Sequence, residues 1–364
     1  MSDNTSHLSQ LGWDSHFQKR FELAKAEGLI PARVISQSRS SYHIGGQFGE
    51  LKAKVSGNMR YQLEEVGQFP AVGDWVAVKP EIGEAVIQAV LPRKSKFSRQ
   101  AAGERTEEQV VAANIDTVFI VSGLDGGRSF NLRRIERYLT LAWSSGASPA
   151  IVLNKIDLCP DVSAFISDVE SVAAGIPVHA VSAREGTGLD ALKTYVGIGR
   201  TVAFLGSSGV GKSALINALL GAEMQQTGEV REDDRHGRHT TTERQLILLP
   251  GGGAVIDTPG MRELQLWAEQ EDLDSTFNEI TVLAGKCRFI DCTHDNEPGC
   301  AVRETIEQGL LDEARLESYR KLQKELNYLA NREGSAARLL RKARWKKISK
   351  WQKQMKQMRK FEGR

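Results

Sequence analysis

Residues Gly206 to Ser213 read G-S-S-G-V-G-K-S, a glycine-rich turn that ends in a lysine and a hydroxyl. An apolar run, Thr201-Val-Ala-Phe-Leu205, precedes the turn, and a helix-period segment, Ala214 to Leu220, follows it. Strand, loop and helix in that order are the context a phosphate-binding loop requires. The backbone amides of Gly206, Ser207, Ser208, Gly209, Val210 and Gly211 can turn inward as an anion nest, and the helix opening at Lys212, Ser213 and Ala214 adds partial positive charge at its N-terminus. Lys212 suits the β/γ-phosphates, and the Ser213 hydroxyl suits Mg²⁺. The spacing predicts a bound nucleoside triphosphate with Mg²⁺ as cofactor.

A second set of residues discriminates among bases. Asn154-Lys155-Ile156-Asp157 follows the apolar stretch Ala150 to Leu153. A carboxylate at Asp157 can accept hydrogen bonds from the guanine N1–H and the exocyclic N2 amine together, and adenine offers no such pair. Asn154 would hold the base and the neighbouring loop, while the Lys155 stem would cover the ring. Ser182-Ala183, twenty-eight residues beyond Asn154, would add a backbone N–H from Ala183 toward the guanine O6. The expected nucleotides are therefore GTP and GDP.

Beyond the phosphate loop, Val255-Ile256-Asp257-Thr-Pro-Gly260 is a strand followed by D-x-x-G. Asp257 is expected to hold Mg²⁺ through a water, and the Gly260 amide to sense the γ-phosphate. A charged loop between the two motifs contains Gly237-Arg-His239-Thr240-Thr241-Thr242. One of these threonines should complete the Mg²⁺ shell, with Thr241 the first choice and Thr240 the second. The base-reading motifs thus precede the phosphate-binding ones, the reverse of ordinary small GTPases. A fold whose ends lie close together tolerates such a circular permutation.

Three of the four cysteines and one histidine form Cys287-x4-Cys292-x-His294-x5-Cys300. Three thiolates and an imidazole make the Cys₃His donor set of a closed, structural Zn²⁺ site. Free cytosolic thiols are the plain alternative. Cys159 stands apart and is expected to be unligated.

The elements that must position these groups can be read around them. The chain has 364 residues, 40% hydrophobic and 26% charged, which suits a protein of several globular domains. No apolar run approaches a membrane span and the N-terminus lacks a signal core, so a cytoplasmic protein is expected. Residues 10–28 carry Trp13, Phe17 and Phe21 near helical spacing and predict a helix packed on the next domain. Residues 30–97 hold five short alternating runs (30–37, 41–46, 50–57, 74–80 and 84–93) separated by turn residues, and predict a small closed β-barrel of the OB-fold kind. From about residue 100, strands alternate with helices, which implies an α/β domain with a parallel sheet. Residues 303–331 read as helical. The expected boundaries are an N-terminal helix over 1–29, the barrel over 30–98, the permuted nucleotide domain over 99–268, an α-helical zinc-binding domain over 269–331 and a basic tail over 332–364.

The charge is uneven. Between Arg320 and Arg364 stand 16 Lys/Arg and three Glu, a net of +13 in a chain of net +2, so residues 1–319 carry −11. A basic end interleaved with Trp345, Trp351 and Phe361 suits a polyanion such as RNA, since cations neutralise phosphates and rings stack on bases.

The order N-K-I-D, S-A-R-E-G, G-S-S-G-V-G-K-S, G-R-H-T-T-T, D-T-P-G resembles the circularly permuted GTPases that assist small ribosomal subunit maturation, the RsgA (YjeQ/YloQ) family. The resemblance covers nearly the whole chain. It implies an OB-fold, a permuted GTPase and a C-terminal zinc domain. It also implies slow GTP hydrolysis stimulated by the 30S subunit, with rRNA as a partner. Met261 stands where Ras-like enzymes place a water-orienting glutamine, and the family's proposed catalytic histidine falls on His239. From the residues alone, His239 is equally a solvent-exposed loop side chain. The protein is expected to act as a monomer. Two other readings are a GTP-dependent RNA-binding switch in which hydrolysis is incidental, and a GTPase at a membrane surface.

Overall fold

The computed structural model describes residues 3–24, 28–38, 41–63, 66–100, 108–127, 129–221, 244–257 and 270–328. The N-terminal segment forms helices α1 (Asp3–Gln10) and α2 (Ser15–Ala24). The N-terminal region expected to be one helix over 1–29 thus holds two, with a break at 11–14. Trp13 meets the fully buried Trp75 edge-on at a centroid distance of 4.7 Å and Phe17 packs against it at a tilt at 5.8 Å, so the predicted packing on the next domain is present.

Five strands follow: β1 (Ile30–Gln37), β2 (Tyr42–Gly46), β3 (Gly49–Val55), β4 (Trp75–Pro80) and β5 (Glu84–Val90), with helix α3 (Gly57–Gln62) between β3 and β4. β1 pairs with β2, β2 with β3, β5 with β4 and β4 with β1, all antiparallel, while β3 pairs with β5 in parallel. That closed circuit with its helix between the third and fourth strands is an OB-fold barrel. Alternating apolar residues fill it, with Val34, Ile44, Val76, Val78 and Ile87 fully buried, and closure leaves no open sheet edge.

A hairpin of β6 (Lys96–Gln100) and β7 (Glu108–Ala113) separates the barrel from the α/β layer. The α/β layer contains β8 (Thr117–Gly123), α4 (Leu132–Ser145), β9 (Ser148–Asn154), α5 (Val162–Val172), β10 (Val178–Val181), α6 (Leu189–Lys193), β11 (Thr201–Gly206), α7 (Lys212–Leu220), β12 (Arg244–Leu248) and β13 (Ala254–Asp257). Its sheet order is β10-β9-β8-β11-β13-β12, parallel except for β12. Every residue of β8 and β11 is buried, as central parallel strands covered on both faces must be. The two sheets join where Ser36 and Gln37 of β1 pair with Gln245 and Arg244 of β12.

Arg33 sits at this seam, 1% exposed. Its guanidinium donates to the carbonyls of Gly73 (3.1 Å), Asn114 (3.0 Å) and Leu11 and to the Thr201 hydroxyl (2.9 Å). One side chain thereby ties together the N-terminal segment, the barrel, the connecting hairpin and β11. Burial lowers its pKa to about 10 against the opposing pull of Asp116 and Asp74, so it keeps its charge at neutral pH.

The C-terminal region contributes α8 (Gln270–Thr276), α9 (Asn278–Ala284) and α10 (Ala301–Glu307). Residues 313–328 form a further helix, separated from α10 by a break at 308–312. The helical reading of this stretch holds for its described residues apart from that break. This region docks on α4 through a buried polar cluster. Arg315, stacked on Phe277 at 4.3 Å, pairs with Glu136 at 2.9 Å and with Glu279 at 2.6 Å. Thr140 bonds Thr276 at 3.0 Å, and Arg137 pairs with Glu325.

Candidate functional site

The carboxyl ends of β8, β9, β11 and β13 face one side of the sheet, which is where open α/β sheets bind ligands. The phosphate-loop residues run from the end of β11 into the N-terminus of α7, as the strand–loop–helix reading requires. Two glycines are forced here. A Cβ at Gly206 (φ 157°) would lie 2.5 Å from the Val121 carbonyl, and one at Gly211 (φ 95°) would lie 2.2 Å from the Asn154 amide nitrogen. Lys212 donates through Nζ to the carbonyls of Gly206 (2.8 Å) and Ser207 (2.6 Å), so its charge lies inside the loop. Ser213 and Ala214 occupy the first turn of α7, and Asp257 ends β13, the parallel neighbour of β11.

Asn154 is the joint of the site. It is 2% exposed, its amide donates to the Val210 carbonyl at 2.9 Å, and its carbonyl oxygen accepts from the Ala183 N–H at 3.0 Å. One side chain thus bridges the phosphate loop and the Ser182–Ala183 turn, although 56 and 29 residues separate them from it in the chain. Asp157 lies on the turn after β9. The buried Ser182 hydroxyl donates to Asp157 Oδ1 at 2.6 Å and accepts from the Glu185 N–H at 3.1 Å, which orients the carboxylate.

Lys155 adopts the left-handed region (φ 68°) and reaches Asp125 Oδ2 at 2.7 Å. Lys155 and Ser129 hold the Asp125 carboxyl below its ordinary range, outweighing the desolvation that opposes them. Asp125 was not among the sequence candidates, because a single acid in G-L-D-G-G carries no motif. Arg134 was not either. It extends from α4 and donates to the Ser207 hydroxyl in the phosphate loop.

His239, Thr240, Thr241, Thr242 and Gly260 lie outside the described residues, as does the basic tail. Among the described residues no helix is long and apolar enough to cross a membrane.

The cysteine cluster is a second centre. Cys287, Cys292, His294 and Cys300 each offer a ligand atom, and all four atoms lie within 4.8 Å of one another. His294 Nδ1 is 3.6 Å from Cys287 Sγ and 3.5 Å from Cys300 Sγ, and those two sulfurs are 3.9 Å apart. A tetrahedral ion with metal–sulfur bonds of ~2.3 Å and metal–nitrogen bonds of ~2.0 Å demands edges of about 3.8 and 3.5 Å, so the spacing suits such an ion. Desolvation and the flanking Cys300 and Cys287 sulfurs push the Cys292 thiol up to about 12, a penalty on thiolates that a dication removes. Cys159 is not part of this cluster.

Fold and site together define a P-loop GTPase whose base-reading elements precede its phosphate loop, a circularly permuted arrangement. A family model described as RsgA GTPase matches residues 90–267. A second model, described as ABC transporter, matches residues 189–360, a span that includes the same phosphate loop. The chain is 47% identical over 357 residues to the small ribosomal subunit biogenesis GTPase RsgA of Opitutus terrae, covering 95% of this chain and 97% of that one. It is 50% identical to an RsgA 2 of Lactiplantibacillus plantarum, covering 84% and 86%. In structure it is similar to YjeQ from Thermotoga maritima (TM-score 0.61, 30% identity, 82% of this chain and 99% of that one). YloQ, a circularly permuted GTPase, shares the fold (TM-score 0.59, 22% identity, 83% and 96%). This chain belongs to the RsgA GTPase family, a family of GTP-hydrolysing enzymes.

Proposed function

We propose that this GTPase acts in the cytoplasm on the small ribosomal subunit, contacting its rRNA and hydrolysing GTP slowly until the subunit accelerates it. The observation that carries the nucleotide reading is the Asn154 bridge, because it joins the N-K-I-D strand, the Ser182–Ala183 turn and the phosphate loop at one end of the sheet. The relatives named as small ribosomal subunit biogenesis GTPases support the ribosomal part.

In this reading Asp157 accepts from the guanine N1–H and N2 amine, with Ser182 holding the carboxylate in place. Ala183 N–H turns from Asn154 Oδ1 to the guanine O6, and Lys155 covers the ring. Gly206, Ser207, Ser208, Gly209, Val210 and Gly211 present amides to the phosphates, and Lys212 leaves its carbonyl partners to meet them. Ser213, Asp257 and Thr241 would hold Mg²⁺, which supplies charge neutralisation between the β- and γ-phosphates. Gly260 senses the γ-phosphate. His239 supplies the catalysis that Met261 cannot. The protein works as a monomer through positioning and charge stabilisation.

Cys287, Cys292, His294 and Cys300 hold one structural Zn²⁺. Stripping the metal with a chelator should unfold the 287–300 segment while the sheets stay folded. Hydrogen exchange checks this: protection lost at 287–300 is the expected pattern, and unchanged protection would remove zinc from the account.

GTP turnover measured with and without purified small subunits tests the function. Stimulation of at least tenfold by the small subunit, and none by the large subunit, is expected. Equal turnover with and without either particle would defeat the ribosomal reading.

A further inference from the structure

We propose that Arg134 is a positioning residue of the GTP site. From the first turn of α4 it clamps the start of the phosphate loop through Ser207, and it keeps the loop in shape when Lys212 turns to the phosphates. The proposal rests on residues 206–213 being the GTP-binding loop.

The geometry has three parts. First, α4 is a fixed platform. Asn131 caps it by accepting from the Arg134 N–H at 3.0 Å, and Ile135, Leu139 and Ala142 are buried in the core. The flanking cations are engaged with acids, Arg133 with Glu136 and Asp312, Arg137 with Glu325. Second, Arg134 points the other way and donates through Nη1 to the Ser207 hydroxyl, a contact between residues 73 apart in the chain. Arginine suits this task because its charge is permanent and its planar fork is pre-organised. A hydrogen bond from a charged donor is also stronger than a neutral one. Third, one of the loop's other side-chain ties is temporary. Lys212 binds the carbonyls of Gly206 and Ser207, yet a lysine that serves β/γ-phosphates must leave them. At that moment Arg134 holds Ser207 to α4, so the loop amides keep their aim. The guanidinium also places a positive charge beside a loop that receives a polyanion, which favours binding and makes it weaken with salt.

The test uses the full chain and four variants: Arg134→Ala, Arg134→Lys, Ser207→Ala and the Arg134→Ala/Ser207→Ala double. Affinities for GTP and GDP, kcat and KM are measured at low and high salt, with thermal melting alongside. Arg134→Ala should raise the GTP Kd and KM about tenfold and flatten their salt dependence. Arg134→Lys keeps the charge without the fork and should recover part of the loss. Ser207→Ala should weaken binding less than Arg134→Ala, and the double variant should be no worse than Arg134→Ala alone, as expected for two members of one contact. The proposal falls if Arg134→Ala binds GTP within twofold of wild type. It also falls if the two single losses multiply in the double, or if the variants melt earlier with unchanged affinity. Should Arg134→Ala fail to fold, Ser207→Ala and Arg134→Lys carry the same decision. Wild-type protein that binds no GTP would refute the underlying site, which separates that failure from the failure of Arg134.

Discussion

Asp157→Asn is expected to move the protein from guanosine to xanthosine nucleotides. In the proposed reading the carboxylate accepts two hydrogen bonds from the guanine edge. An amide keeps one acceptor and presents an N–H₂ where the second acceptor stood, so it meets the guanine N2 amine donor to donor. Xanthine carries a carbonyl at that carbon and accepts instead. Ser182 donates to Asp157 Oδ1 at 2.6 Å, and an amide oxygen in that place accepts the same bond, so the side chain should keep its orientation. A site built around hydrogen bonds that are then left unpaired discriminates by about 10²–10⁴. GTP affinity should fall by at least 10², while XTP gains by a similar factor. Competition binding with the two triphosphates reads this directly. A variant that loses GTP and gains nothing for XTP would mean that Asp157 does not face the base.

Lys212→Ala has the second largest expected effect. Lys212 carries a charge within the phosphate loop, where its Nζ donates to the backbone carbonyls of Gly206 and Ser207. Removing it leaves the fold of β11 and α7 intact, since those elements are held by the buried Val202, Leu205, Leu215 and Ile216. Loss of a charged donor aimed at transferring phosphates costs on the order of 10²–10³ in rate. The expected outcome is kcat/KM for GTP down by about 10³ at an unchanged melting temperature. Turnover within a few-fold of wild type would exclude the loop from the chemistry.

Much of this fold was legible because the relevant signals are local. The barrel runs alternate apolar and polar residues in segments bounded by glycine turns, and the five strands stand within a few residues of where that pattern puts them. The buried parallel strands β8, β9 and β11 announce themselves as unbroken apolar runs. Other elements depend on tertiary context. The β6–β7 hairpin consists of K-F-S-R-Q and E-Q-V-V-A-A, too short and too mixed to signal pairing. The polar α1 is placed by Leu8 and Leu11 packing under the barrel seam. The break at 308–312 interrupts a helical pattern that, read along the chain alone, looks continuous.

The site divides along the same line. Motif residues with a fixed spacing, such as Asn154 and Lys212, were named from the sequence, and the structure brings them to one edge of the sheet. Asp125 and Arg134 were not, because nothing in the chain distinguishes them from other surface charges. Only the approach of α4 to the phosphate loop, and of Asp125 to Lys155, gives them partners.

Nucleotide titration of the intact chain tests the core of the account most directly. If Asp157, Ala183 and Asn154 read the guanine edge together, as proposed, GTP and GDP should bind with Mg²⁺ at least 10² more tightly than ATP and ADP. Equal affinity for guanosine and adenosine phosphates would contradict it, since these residues would then share an edge of the sheet without sharing a ligand.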